Sequence, residues 1–228
     1  MHAHPVVRGG VPARGASLVF GVFLFALGIV LILESKLGLS PWDVLNQGLS
    51  RHTPLSFGMA NVAVAIVVLF VAWTLGGPPG IGTVVNAVGV GSFIQALTAI
   101  GAATHLQHDP LGVRIVLLVA GVALIGPASA FYIGAHFGAG PRDTLMLVGS
   151  RRTGVRIAIV RGSLELCALV VGIVLGGTFG VGTLLFAFGV GPVIEASFWL
   201  LERTPIGRPV PMPANMGTSA EDGRLALP

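Results

Sequence analysis

At 228 residues the chain has room for one or two water-soluble domains, but 54% of it is hydrophobic and only 10% is charged, against roughly 25% charged residues in an ordinary soluble domain. A mean hydropathy of +0.90 therefore excludes a soluble globule, and a net charge of +4 is too small and too local for a nucleic-acid footprint. The single cysteine, Cys167, excludes an intrachain disulfide.

The apolar residues lie in long blocks. The first runs from Gly15 to Leu33 without a formal charge and is closed by Glu34 and Lys36. As a helix it covers about 28 Å, close to the hydrocarbon thickness of roughly 30 Å, and it exceeds the 7 to 15 residues or so of a signal h-region. Next comes Ser40-Pro41-Trp42-Asp43, which reads as a helix start with Ser40 at N-cap, Pro41 at N1 and Asp43 at N3. That short helix should end near Ser50. The second and third blocks are Phe57 to Leu75 and Thr83 to about Thr104, separated by a Gly80-x-Gly82-Thr83 turn in which Thr83 is expected to cap the next helix. The fourth runs from Val113 or Arg114 to Phe137, and Gly140-Pro141-Arg142-Asp143 then repeats the short-helix start. Val155 to Leu175 and Thr183 to Leu201 complete six spans. The fold class is all-α, a polytopic membrane protein with two extra short helices, divided into residues 15–104 and 113–203. Residues 1–14 and 205–228, the latter with Pro209, Pro211 and Pro213, read as disordered tails.

Laid on itself with a shift of 100 residues, the chain matches at 21 of 59 ungapped positions between 38–96 and 138–196, where composition alone would give about five. Pro41, Asp43, Ser50, Arg51 and Thr53 align with Pro141, Asp143, Ser150, Arg151 and Thr153, and the Gly-x-Gly-Thr turns align as well. Three spans per repeat is an odd number, so the two halves are expected to be inverted relative to one another. With the N-terminus in the cytoplasm, ten basic residues fall inside and only Lys36, Arg51 and Arg114 outside, which places both termini inside.

Two readings of the short helices stand. They lie at the interface with Asp43 and Asp143 complementing positive helix ends, or they dip into the protein as half-helices whose N-termini form a polar site. The third and sixth blocks carry Gly89-Val90-Gly91 and Gly189-Val190-Gly191-Pro192. These are expected to interrupt their helices near a central site, or else to permit close packing and a proline kink. Arg161 and Glu165 share one face of the fifth span, where an unpaired charge costs at least about 2.5 kcal/mol; Glu195 lies in the sixth, opposite Gln95 in the repeat. Asp43, Asp143, Arg161, Glu165 and Glu195 are the candidate substrate or coupling residues. The six histidines are dispersed, with only His105, His108 and Asp109 near one another, so neither a metal nor a cofactor is expected. No nucleophile, kinase or deaminase signature points to an enzyme.

The stretches LGLSPWDVLNQGLS, GAGPRDTLM, VRGSLE and GGTFGVGTLLFAFGVGP together resemble the bacterial YczE/YyaS/YitT group of integral membrane proteins, most closely its YczE side, over residues 15 to 203. The resemblance implies a multi-pass protein of the bacterial cytoplasmic membrane and no defined biochemical activity. The leading expectation is a secondary transporter or permease for an unidentified small solute. The competing one is a non-transporting scaffold or regulator. The expected partner is the lipid bilayer, nucleic acid is not expected, and a homo-oligomer is left open.

Overall fold

A computed structural model describes residues 6–103, 106 and 110–208. A backbone in hydrocarbon has to satisfy its own polar groups, which favours long uninterrupted helices, and the apolar blocks form them. In chain order the elements are β1 (Val6–Val7), α1 (Val11–Ser35), α2 (Pro41–His52), α3 (Phe57–Thr74), α4 (Ile81–Ala99), α5 (Leu111–Gly134), α6 (Pro141–Thr153), α7 (Ile157–Val174), α8 (Val181–Arg203) and β2 (Gly207–Arg208). Six of them, α1, α3, α4, α5, α7 and α8, are long and apolar enough to cross a membrane. The remaining two helices, α2 and α6, have 12 and 13 residues and reach only about 20 Å, too short to span. Paired by order, the helices begin at Val11 and Leu111, Pro41 and Pro141, Phe57 and Ile157, and Ile81 and Val181.

At the centre α1 packs along α5. A Cβ added to Gly28 would lie 2.9 Å from the Gly121 carbonyl oxygen, and one added to Gly121 would lie 2.7 Å from that of Gly28. Lipid tails are as apolar as the helices, so such small-residue contacts, rather than a hydrophobic drive, hold helices together. Arginines lock the two ends. Arg14, near the start of α1, donates to the carbonyls of Ala135 and His136 at 2.8 and 3.0 Å beyond the end of α5. Arg114 at the start of α5 donates at the same distances to Ser35 and Lys36 at the end of α1. The start of each helix therefore meets the end of the other, and the pair is antiparallel.

The turns interlock in the same reciprocal way. The Gly82 amide donates to Phe137 at 2.8 Å, and the Gly182 amide donates to Leu37 at 2.7 Å. Gly38 and Gly138 adopt φ of +119° and +125°, in the region that glycine alone enters freely; Gly38 lies against the start of α8 and Gly138 against the start of α4.

Three expectations are corrected. First, α4 and α8 run unbroken through Gly89, Gly91, Gly189, Gly191 and Pro192; the glycines leave the helical hydrogen bonds intact, and Pro192 removes one donor without ending the helix. Second, Thr83 and Thr183 sit at N3, behind Gly80 and Gly180 at N-cap, where their hydroxyls accept the N–H of the cap residue. Third, residues 6–14 are ordered. Val6–Val7 pair antiparallel with Gly207–Arg208, and Val7 is buried with Ala130, Phe198 and Leu201, so the described ends of the chain meet. Residues 1–5 and 209–228, with the three prolines, and His105, His108 and Asp109 lie outside the described residues.

Candidate functional site

The two short helices start beside each other, and the chemistry of each start decides which way its acid faces. In α2 the Ser40 hydroxyl accepts the Asp43 amide at 3.2 Å and donates back to Asp43 Oδ2. The Asn46 amide donates to Asp43 Oδ1 at 3.2 Å. Ser40, Asp43 and Asn46 are all buried, so Asp43 does not lie at a wet interface. In α6 the cap is Gly140, which has no hydroxyl to offer. Asp143 instead accepts the Tyr132 hydroxyl on Oδ2 at 2.7 Å and stays half-buried. The second residues of the two helices meet directly. The Arg142 guanidinium stacks 4.9 Å from the centre of the Trp42 ring, and the carboxylates of Asp43, Asp143 and Glu165 all act on its charge.

Around this meeting point lies a cavity of about 750 Å³ to which α1 through α8 all contribute lining residues. Its polar groups include Asp43, Asn61, Asn86, Ser129, Tyr132, Arg142, Asp143, Arg161 and Glu165; Phe25, Ile29, Val90, Phe186 and Val190 form much of the apolar wall. Arg161 and Glu165, on one face of α7, form an ion pair, Nε to Oε1 at 2.9 Å, with side chains 50% and 30% exposed. Its counterpart on α3, Asn61, is only 3% exposed, and its Nδ2 has no hydrogen-bond partner among the described residues.

The structure thus brings Asp43, Asp143, Arg161 and Glu165 to one cavity. Glu195 is not in it and sits exposed on α8. The five helix-break candidates are absent from the lining too, whereas Val90 and Val190 beside them are present. Sequence reasoning passed over Trp42 and Arg142. Their signal was there: unlike residues at the same repeat position, inside an otherwise matched Pro-x-Asp.

The seams flanking the cavity differ. Between α3 and α4, Ser56 donates to Gln95 Oε1. Gly58 and Gly91 face each other there, so that a Cβ on Gly91 would lie 2.5 Å from the Gly58 carbonyl oxygen and one on Gly58 would lie 2.6 Å from that of Gly91. The residues 100 positions on are Arg156, Ala158, Gly191 and Glu195, and no comparable packing joins α7 to α8. A Cβ on Gly162 or Gly191 would meet nothing within 4 Å, and Arg156 and Glu195 are both exposed.

Six apolar helices around a shared polar cavity define a polytopic helical membrane protein. The chain belongs to the Family of unknown function (DUF6198), which matches residues 13–197. An uncharacterized protein of Haemophilus influenzae is 34% identical over 190 residues, covering 82% of this chain and 84% of that protein. The uncharacterized membrane protein YczE of Bacillus subtilis is 34% identical over 179 residues, covering 78% and 81% of the two chains. YyaS of the same organism is 27% identical over 190 residues, with 80% and 91% covered. No solved structure matches the chain.

Proposed function

We propose that the protein is a small secondary transporter of the bacterial cytoplasmic membrane, built as an inverted repeat and working by alternating access. The observation that carries this reading is the pair of unequal seams. One polar cavity lies between a seam that is closed, α3 on α4, and a seam at the corresponding sequence positions that is open, α7 beside α8, with Gly191 alone of its four named residues unchanged. Separation of α3 from α4 and closure of α7 on α8, at a wider spacing because Ala158 stands where Gly58 does, would open the cavity first to one side and then to the other. The charges support the same motion: Arg156 and Glu195 replace the bonded Ser56 and Gln95, so closing the second seam would join an ion pair where the first joins a hydrogen bond. In this reading α2 and α6 are half-helices entering from opposite faces, both termini are cytoplasmic, and Glu165 or an aspartate carries the coupling ion. A scaffold has no use for a cavity of this size lined by charges that cost energy at membrane depth.

Cross-linking tests it. In a Cys167→Ser background, Ser56→Cys with Gln95→Cys should cross-link readily, and Arg156→Cys with Glu195→Cys should cross-link within one chain. The two links should exclude each other in the fourfold variant. If the second pair never links, or links only between two chains, the transporter reading falls and the α7–α8 face is an assembly surface of a scaffold.

A further inference from the structure

Resting on the reading of the cavity as a substrate site, we infer that its ligand is a zwitterion: one carboxylate and one ammonium on an apolar body of amino-acid to dipeptide size. The unpaired groups of the cavity point to both charges. Arg142 stacks on Trp42, which covers its face and leaves its in-plane N–H groups available. Among the described residues it has neither a hydrogen bond nor an ion pair within 4 Å. The buried Asn61 adds an unpartnered Nδ2 to the same lining. Arginine forks suit carboxylates, and a buried amide N–H is costly to leave unmade. On the acid side, Asp43 spends both oxygens on Ser40 and Asn46, whereas among the described residues Asp143 accepts only Tyr132, on Oδ2. Asp143 Oδ1 is the acceptor left for an ammonium.

Charge balance selects a ligand with no net charge. Arg161 and Glu165 neutralise each other. Burial pushes the Asp43 carboxyl above the usual carboxylate range, opposed by the Arg142 charge and the Ser40 and Asn46 hydrogen bonds; counted as a carboxylate, it leaves with Asp143 and Arg142 one negative charge, and the N-termini of α2 and α6 each contribute roughly half a positive charge, so the site as a whole is close to neutral. A plain amine or a plain carboxylate would leave a charge uncompensated away from water, where that is expensive. The remaining wall, Phe25, Ile29, Val90, Phe186 and Val190, takes the apolar body. A volume of about 750 Å³ lies within the roughly 300 to 1,000 Å³ of small-molecule sites.

The test is equilibrium binding to the full chain in nanodiscs, by calorimetry and thermal shift. The probes are L-phenylalanine and leucyl-phenylalanine, with phenethylamine and phenylpropionate as the analogues lacking one charge. At least one zwitterion should bind, with both analogues roughly tenfold or more weaker, the usual cost of losing a charge-assisted bond. Arg142→Gln should erase the preference over phenethylamine alone, and Asp143→Asn the preference over phenylpropionate alone. The wild-type series decides the matter where a variant does not fold. An analogue that binds as tightly as the zwitterions overturns the inference, and so does the absence of binding by all four probes. If binding is absent while the two seam cross-links still exclude each other, the ligand class is wrong and the transporter reading stands; if zwitterions bind without that exclusion, the reverse holds.

Discussion

Replacing Gly91 or Gly191 by alanine should have unequal consequences although the residues stand 100 positions apart in matched stretches of sequence. At Gly91 the added Cβ meets the Gly58 carbonyl oxygen at 2.5 Å and the Val62 amide nitrogen at 3.0 Å. Both are backbone atoms that cannot rotate away, so α3 and α4 must separate. Overpacking of this kind costs about 1 to 3 kcal/mol. At Gly191 the Cβ meets nothing within 4 Å. The gain in helix propensity, about 1 kcal/mol, is common to both and cancels in the comparison. Gly91→Ala should therefore be less stable than Gly191→Ala by about 1 to 3 kcal/mol, each kcal/mol appearing as roughly 2 to 4 °C in Tm at this chain length. The penalty at Gly191 is deferred until α7 closes on α8, where the new methyl would add to the crowding that Ala158 brings in place of Gly58. Closure should then fall about 5- to 150-fold, read as the rate at which Arg156→Cys and Glu195→Cys cross-link with and without Gly191→Ala. Equal destabilisation by the two alanines, or an unchanged cross-linking rate, would refute the argument that the second seam closes through Gly191.

The arginine locks give a matched pair of outcomes. Arg14→Ala and Arg114→Ala each remove two hydrogen bonds to the end of the opposite helix and should each cost about 1 to 3 kcal/mol in thermal unfolding. Lysine should restore little, since a point charge cannot span two carbonyls; full recovery by Arg14→Lys would show that charge alone matters there. Orientation is read with reporter fusions. One placed after His108 should be active only on the extracytoplasmic side and one after Arg203 only in the cytoplasm, and the opposite pattern would reverse the assignment drawn from ten inside and three outside basic residues.

Local chemistry made much of the architecture legible in advance. Span length is set by hydrocarbon thickness, so the apolar blocks located all six long helices. A Ser-Pro-x-Asp start specifies its own cap, and Ser40 and Asp43 bond as that pattern requires. Because Arg161 and Glu165 are four residues apart on one helix, their pairing needed no knowledge of neighbours.

Other features depend on what lies opposite. A glycine pair inside an apolar block has the same local signature whether it breaks a helix or admits a close neighbour; only the proximity of Gly58 and Val62 to Gly91 decides for packing. Glu195 lies outside the cavity lining and exposed, since a helix's rotation about its own axis is fixed by its contacts and not by its own sequence. Trp42 and Arg142 became site residues because two short helices meet start to start, which no local signal encodes. The sequence by itself determined an all-helical membrane chain with six helices long and apolar enough to span and two short ones that begin at Pro41 and Pro141. Only the tertiary structure decided that α3 packs on α4 while α7 stands off α8: lipid solvates a separated pair of apolar helices almost as well as they solvate each other, so neither the Gly58–Gly91 pair nor the Ala158–Gly191 pair in its place fixes a packing by itself.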